Sequence, residues 1–271
     1  MITDEYFTLS NGVKIPKIGF GTWLIDNDKT AQAVRDAISA GYRHIDTAEA
    51  YGNEQEVGEG VRSCGLPREQ IFVTTKLAAE IKEYNGAVKA IEDSLEKLDL
   101  DYIDLMIIHC PQPWNDFRGG DYFDGNRQAW KALEEAYKAG KIRAVGVSNF
   151  EEKDLDNILD CCTVKPAVNQ IMIHIGNTPA ALMDYCKARD ILIEGYSPVA
   201  HGRIFGNGKI EQLAEKYGVS TAQLCIRYVL QLGAIPLPKT TNAERMKQNA
   251  DIDFEISADD MVYLKSIESI D

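Results

Sequence analysis

The strongest constraint on the fold of this chain is an alternation of two periods. Eight short apolar runs, spaced very roughly 30 residues apart, alternate with stretches whose apolar residues recur at helical spacing. The runs are Lys17–Gly21, Arg43–Asp46, Ile71–Lys76, Ile103–His109, Ile142–Val147, Ala167–Gln170, Leu192–Tyr196 and Ala234–Leu237. The helical stretches are Asp28–Ala40, Asn53–Cys64, Tyr84–Leu98, Arg127–Ala139, Glu151–Leu159, Pro179–Arg189, Lys209–Tyr217 with Thr221–Gln231, and Asn242–Asn249. Strand followed by helix is the βαβ unit. Eight such units in 271 residues predict a single α/β domain over residues 1–271, a (β/α)8 TIM barrel, because a doubly wound open sheet usually has fewer strands. Gly41, Gly140 and Gly218 each follow a helical stretch, where a left-handed residue ends a helix. Outside the repeat, Tyr6–Leu9 and Val13–Ile15 flank Asn11-Gly12, which predicts an N-terminal β-hairpin with a two-residue turn, placed to plug one end of the barrel. Ser257–Ile267 predicts a C-terminal helix. The eighth strand is the weakest, since Pro236 and Pro238 cannot donate to a ladder.

Charge and composition narrow the partners. The 29 basic and 42 acidic residues give a net charge of −13, a field that repels polyphosphate and anionic lipid, so no nucleic-acid partner is expected. No apolar run reaches the roughly 18 residues of a membrane span, and Asp4 and Glu5 stand where a signal peptide carries bases; a cytoplasmic monomer is expected. The six cysteines include no C-x-x-C pair and read as reduced thiols. His44, His174 and His201 show no metal-ligand spacing, so no metal is expected. There is no G-x-G-x-x-G run. Tyr137 and Lys141 have Y-x-x-x-K spacing but fall at the end of a helix with no glycine fingerprint upstream.

In a barrel of this kind the active site lies at the C-terminal ends of the strands, where this chain places polar residues in succession. Asp46, Lys76, His109, Ser148-Asn149, Asn169-Gln170, Tyr196-Ser197 and Lys239-Thr240 close seven of the eight runs. Asp46, Tyr51, Lys76 and His109 are the subset able to do acid–base work. A phenol is a poor donor at neutral pH, and an ammonium such as Lys76 lowers its pKa, while Asp46 keeps that ammonium charged and oriented. His109 can hydrogen-bond a developing oxyanion.

These residues sit in motifs that resemble the aldo-keto reductases. Gly41 to Glu54, reading GYRHIDTAEAYGNE, is similar to the family's signature around its aspartate and tyrosine. Thr74-Thr75-Lys76, Ile107-Ile108-His109-Cys110-Pro111, Gly146-Val147-Ser148-Asn149-Phe150 and Val168-Asn169-Gln170-Ile171 are similar to later motifs, in family order across nearly the whole chain. The resemblance implies reduction of aldehydes or ketones to alcohols by hydride from NADPH, with small aldehydes, dicarbonyls or keto-sugars as substrates. It implies Tyr51 as proton donor, Lys76 and Asp46 as its tuning pair, and His109 orienting the carbonyl. Ser148, Asn149 and Gln170 would hold the nicotinamide carboxamide and Tyr196 stack on its ring. Thr22, Ser197 and the backbone of Val199 would join the cofactor site. Lys239, Thr240, Arg245, Gln248 and Asn249 would hold the adenosine 2′-phosphate and adenine. Trp23, Cys110 and Trp114 would line the substrate pocket together with His109.

The sequence departs from the family pattern in places. Cys110 replaces a common tryptophan, which should widen the pocket, and Gln248 stands where glutamate is frequent. The Ile171–Gly176 stretch lacks the usual acid and proline, and only 22 residues follow Asn249. Two other readings stay in view: a cofactor-binding regulatory barrel without significant turnover, and a Schiff-base enzyme using Lys76. A complete tetrad disfavours the first, and an acid partner for Lys76 disfavours the free amine that the second requires.

Overall fold

Two proline carbonyls close the molecule on itself. In the computed structural model, which describes residues 1–270, a hairpin of β1 (Tyr6–Thr8) and β2 (Lys14–Pro16) precedes eight parallel strands. These are β3 (Phe20–Gly21), β4 (His44–Asp46), β5 (Phe72–Leu77), β6 (Leu105–Ile108), β7 (Val145–Ser148), β8 (Val168–Met172), β9 (Leu192–Tyr196) and β10 (Ile235–Leu237), paired in sequence order. The ring is completed where Gly19 N–H donates to Pro236 O at 3.1 Å and Gly21 N–H to Pro238 O at 3.0 Å. Proline lacks a donor but keeps an acceptor, and the last strand uses it. A Cβ on Gly19 would stand 2.5 Å from Leu237 Cδ2 and 2.7 Å from His44 Nδ1, so this seam admits only glycine there.

Ten helices follow in order: α1 (Asn27–Ser39), α2 (Glu54–Arg62), α3 (Tyr84–Leu98), α4 (Phe123–Lys138), α5 (Glu152–Leu159), α6 (Ala180–Lys187), α7 (Gly208–Lys216), α8 (Thr221–Gln231), α9 (Ala243–Ala250) and α10 (Ala258–Lys265). Strand residues alternate between two cores. Outward residues such as Ile45, Val73, Met106, Val147 and Ile171 pack against the helices. Inward residues Phe72, Leu105, Ile107, Val168, Ile235 and Leu237 form a second cluster that Leu9 and Ile15 of the hairpin close from below. The hairpin therefore plugs the N-terminal end, as its position outside the repeat suggests.

The eight strands and the order of helices agree with the sequence pattern, and three local features differ. The hairpin loop has three residues: Gly12 N–H bonds Leu9 O, Leu9 N–H bonds Val13 O, and Gly12 alone has positive φ, at +86°. That is a type I turn followed by a left-handed glycine, which needs no left-handed Asn11. Helix α4 begins four residues before Arg127 because Gly125 packs on Lys82, its Cβ position 2.7 Å from Lys82 Cβ, and Asn126 Nδ2 donates to Pro111 O at 2.9 Å. Strand β8 runs two residues past Gln170, which seats that side chain within the barrel rather than at its rim. Among the described residues no helix is long and apolar enough to cross a membrane.

The lower end is pinned by a buried acid. Asp104 is 1% exposed and accepts from Arg68 Nη2 and Arg143 Nη1, each at 2.7 Å, and from Val73 N–H at 2.9 Å. Both guanidinium groups lie over the Tyr102 ring. Removing one partner leaves the others uncompensated. Asp104→Ala should cost about 3 kcal/mol in urea unfolding while leaving the C-terminal face intact, and a cost under about 0.5 kcal/mol would show that the cluster contributes nothing to stability.

Candidate active site

The site is organised around an ammonium without solvent. Lys76, on β5, is 0% exposed. Its Nζ donates to Asp46 Oδ1 at 2.7 Å, to Thr47 O at 2.8 Å and to the Tyr51 hydroxyl at 3.2 Å. Three donors meet three acceptors, so the ammonium is satisfied. Burial alone would lower the lysine pKa, but the charge of Asp46, the coupling to Tyr51 and these hydrogen bonds outweigh it and hold it above the ordinary value. Lys76 is a cation here, which removes the Schiff-base reading.

Tyr51 lies on the turn that follows β4, and its ring packs edge-on to His109 with centroids 5.7 Å apart. Its pKa is raised, not lowered as the sequence suggests. Burial is the largest cause, and together with the charge of Asp46 it exceeds the lowering by Lys76. The phenol is therefore fully protonated across the physiological range, as a donor requires. His109 is pushed down to about 3 by burial and by Lys76, so it is a neutral imidazole. Its Nδ1 is enclosed without a partner, and the other edge of the ring borders Trp114, centroids 5.4 Å apart.

The local sequence explains the placement of Asp46. Thr22 N–H and Oγ1 both donate to Asp46 O, at 3.0 and 2.9 Å, and Asn53 links Thr22 O to Thr47 Oγ1. Thr22 is 0% exposed and both its donors are engaged, so it supports the strand that carries Asp46. From within the barrel Gln170 Nε2 donates to Asp46 Oδ2 at 2.8 Å and to Glu194 Oε2 at 2.8 Å. Glu194 was not singled out by its sequence context, because a glutamate inside a strand carries no motif of its own. The inward parity of position 194, shared with Tyr196, was the available signal.

The remaining residues expected at the site divide into two groups on the same face. At the rim, Asn149 has φ of +60°, and its amide donates to His109 O at 3.0 Å and Ser148 Oγ at 3.1 Å while accepting from the Tyr196 hydroxyl at 2.8 Å. Ser148 Oγ itself donates to Gln170 O at 2.8 Å. Asn149 thus fixes the backbone of His109 and the tilt of the Tyr196 ring. Ser197 (φ +54°) meets His201 Nε2 at 3.2 Å, and His201 packs edge-on to Trp23 at 5.4 Å, which brings into the mouth a histidine read from sequence only as a non-ligand. Val199 N-caps the short turn beyond Ser197. Farther out, Lys239 and Arg245 are exposed and Thr240 half-exposed around the start of α9, where Asn242 caps the helix through Arg245 N–H, and in its last turn Gln248 is exposed and Asn249 half-exposed.

Trp23 and Trp114 are 43% and 45% exposed and flank the mouth. Cys110 does not. It is 0% exposed, burial pushes its thiol up, and its carbonyl accepts from Lys82 Nζ at 2.8 Å, so the pocket is not widened by a thiol facing the substrate. Tyr137 and Lys141 lie at the opposite end of the barrel, where Lys141 O accepts from Ile103 N–H.

A model of the Aldo/keto reductase family matches residues 17–269. This chain belongs to that family. The aldo-keto reductase is 43% identical over 255 residues to the glyoxal reductase of Bacillus subtilis, an alignment covering 93% of this chain and 89% of the relative. An aldo/keto reductase structure from Brucella melitensis superposes with a TM-score of 0.92 at 35% identity, covering 98% of this chain and 99% of the other. A Bombyx mori aldo-keto reductase in complex with NADP gives a TM-score of 0.88 at 34% identity, with 97% and 92% covered.

The enclosure of Cys110 makes its substitution a test of packing. Cys110→Trp in this aldo-keto reductase should overpack the region beneath Lys82 and destabilise by about 1–3 kcal/mol or more, read as a lowered Tm. A stable variant whose only change is loss of activity on bulky ketones would instead put position 110 in the substrate pocket.

Proposed function

We propose that this aldo-keto reductase reduces small aldehydes, dicarbonyls or keto-sugars to alcohols with NADPH, Tyr51 giving up the proton. The observation that carries the reading is the Lys76 ammonium bonded at once to Asp46 and to the Tyr51 hydroxyl. NADPH, when bound, supplies the hydride. As the carbonyl oxygen gains charge it becomes far more basic than a phenolate, so the proton moves from the Tyr51 hydroxyl to that oxygen even though burial raises the phenol pKa. The phenolate left behind stays against Lys76, whose charge is preorganised by Asp46 and needs no solvent rearrangement. A neutral His109 offers one N–H to the same oxygen and fixes the carbonyl beside Tyr51. Trp114 packs edge-on to His109 and borders that contact. The name of the Bacillus subtilis relative puts glyoxal and other dicarbonyls first in a substrate panel.

The residues present fit the cofactor. Lys239 and Arg245 are exposed beside a capped helix N-terminus, a fork and a point charge for a 2′-phosphate on an otherwise acidic protein. Ser148 and Tyr196 edge the floor above Gln170, where an amide and a ring would be held. A regulatory barrel has no use for a solvent-free ammonium aligned on a phenol, which favours turnover.

Tyr51→Phe should lower reduction by roughly 10²–10⁴-fold or more with little change in NADPH affinity, and near-parental turnover would withdraw the assignment. The double variant Lys239→Ala, Arg245→Ala should weaken NADPH by roughly 10- to 150-fold per lost charge-assisted bond while sparing NADH, by fluorescence titration. Equal loss for both cofactors would remove the 2′-phosphate from this reading.

A further inference from the structure

The barrel interior holds a second carboxyl that the reaction above does not use. Glu194 on β9 is 0% exposed, and its Oε2 shares the Gln170 amide with Asp46 Oδ2, each at 2.8 Å. An amide nitrogen carries two hydrogens, so Gln170 spends one on each carboxyl. Because β4 and β8 are not neighbours in the sheet, this clamp spans the barrel. The run from Glu194 through Gln170, Asp46 and Lys76 reaches the Tyr51 hydroxyl without a gap. Glu194 Oε1 has no hydrogen-bond partner, and the nearest basic atom is His44 Nε2 at 3.7 Å, itself bonded to Thr74 Oγ1 at 2.9 Å.

We propose that Glu194 is a positioning residue for the proton donor: uncharged, it holds Gln170 and through it Asp46 in place, and when ionised it weakens Tyr51 as an acid. The proposal rests on Tyr51 being the donor. Asp46 has an ammonium to balance it and Glu194 has none, so of two carboxyls sharing one amide in a dry interior Glu194 is the one that burial holds neutral. The groups that face Glu194 are few. Strand β4 brings Asp46 and His44, β5 brings Lys76, β8 brings the neutral Gln170, and β10 places Ile235 opposite it in register. Burial first, then the charge of Asp46, pushes Glu194 up to about 8 against the opposing pull of Gln170 and Lys76. His44, driven down to about 3 by burial and Lys76, cannot supply a countercharge.

Two consequences have a defined sign. Ionised Glu194 adds negative charge behind Asp46 and disfavours the phenolate that Tyr51 must become, so reduction slows as pH rises through about 8. The folded state also binds this proton more tightly than the unfolded chain. Its contribution to stability is fully present below the ordinary carboxylate range and is lost as pH rises to about 8.

The test compares the full-length parent with Glu194→Gln, which keeps an acceptor for Gln170 but cannot ionise. Turnover of glyoxal with saturating NADPH is measured from pH 6 to 10, and Tm over the same range without substrate. The parent should lose on the order of 10-fold in kcat across the limb near pH 8, and the variant, with no carboxyl to ionise, should lack that limb. The Tm of the variant minus that of the parent should rise with pH up to about 8 and then level. Superimposable pH profiles with a parallel Tm dependence would overturn the proposal. Should the variant fail to fold, difference infrared on the parent decides: loss of a protonated carboxyl band near pH 8 supports it, and no such band overturns it. A parent with no carbonyl reduction at all would instead sink the function proposed above, and the infrared and Tm measurements would still report on Glu194.

Discussion

The contact between Lys76 and Asp46 is the constraint that the rest of the structure accommodates. A fully enclosed ammonium is tolerable only beside a countercharge with every remaining proton satisfied, and an uncompensated one costs several kcal/mol. The upper barrel is arranged around that requirement. Thr22 ties down the carbonyl of Asp46, Thr47 turns its own carbonyl onto Lys76, and Gln170 reaches across the interior to the second oxygen of Asp46. Tyr51 completes the coordination of the ammonium, so the proposed proton donor is also a group the fold needs. Polar residues in this interior are expensive, and their concentration here marks the end of the barrel where chemistry outranks packing.

The opposite end follows the reverse rule. There the inward positions are apolar, the hairpin seals them, and Asp104 gathers two arginines around one carboxylate. Separating the ends lets the loops at the mouth take strained shapes. Ser197, Ala200 and His201 all have positive φ within five residues, a concentration that a stable lower half can carry.

Much of this was legible in the sequence because two periods and one parity rule suffice for a barrel. Alternation of apolar and helical periods placed the eight strands, and the polar strand ends marked Asp46, Lys76, His109 and Ser148. Depth was not legible. Parity says that Gln170 faces inward but not how far along the axis it sits, because strand stagger is set by closure of the ring; β8 ran two residues longer than its polar end implied, and Gln170 met Glu194 below the rim. The burial of Thr22 and Cys110 was hidden for another reason. Family position marked both as contact residues; one spends its donors on Asp46 and the other is fully enclosed, outcomes governed by packing across elements far apart in the chain. Lys76 lowers the Tyr51 pKa as its placement implies, but desolvation, invisible in a motif, is larger and sets the net direction.

The seam between β3 and β10 carries a mechanical asymmetry. Its two hydrogen bonds run in one direction, from glycine N–H groups to proline carbonyls, and neither proline has a hydrogen to return. This joint is consequently held by acceptors alone on its β10 side. Lys239 follows it directly, its Cβ 3.7 Å from the Cβ position of Gly21, whereas Asp46 and Lys76 stand on the paired strands β4 and β5. The residue read as the cation for a 2′-phosphate therefore stands at this one-directional joint, while the Lys76–Asp46 pair stands on two strands joined to each other in register.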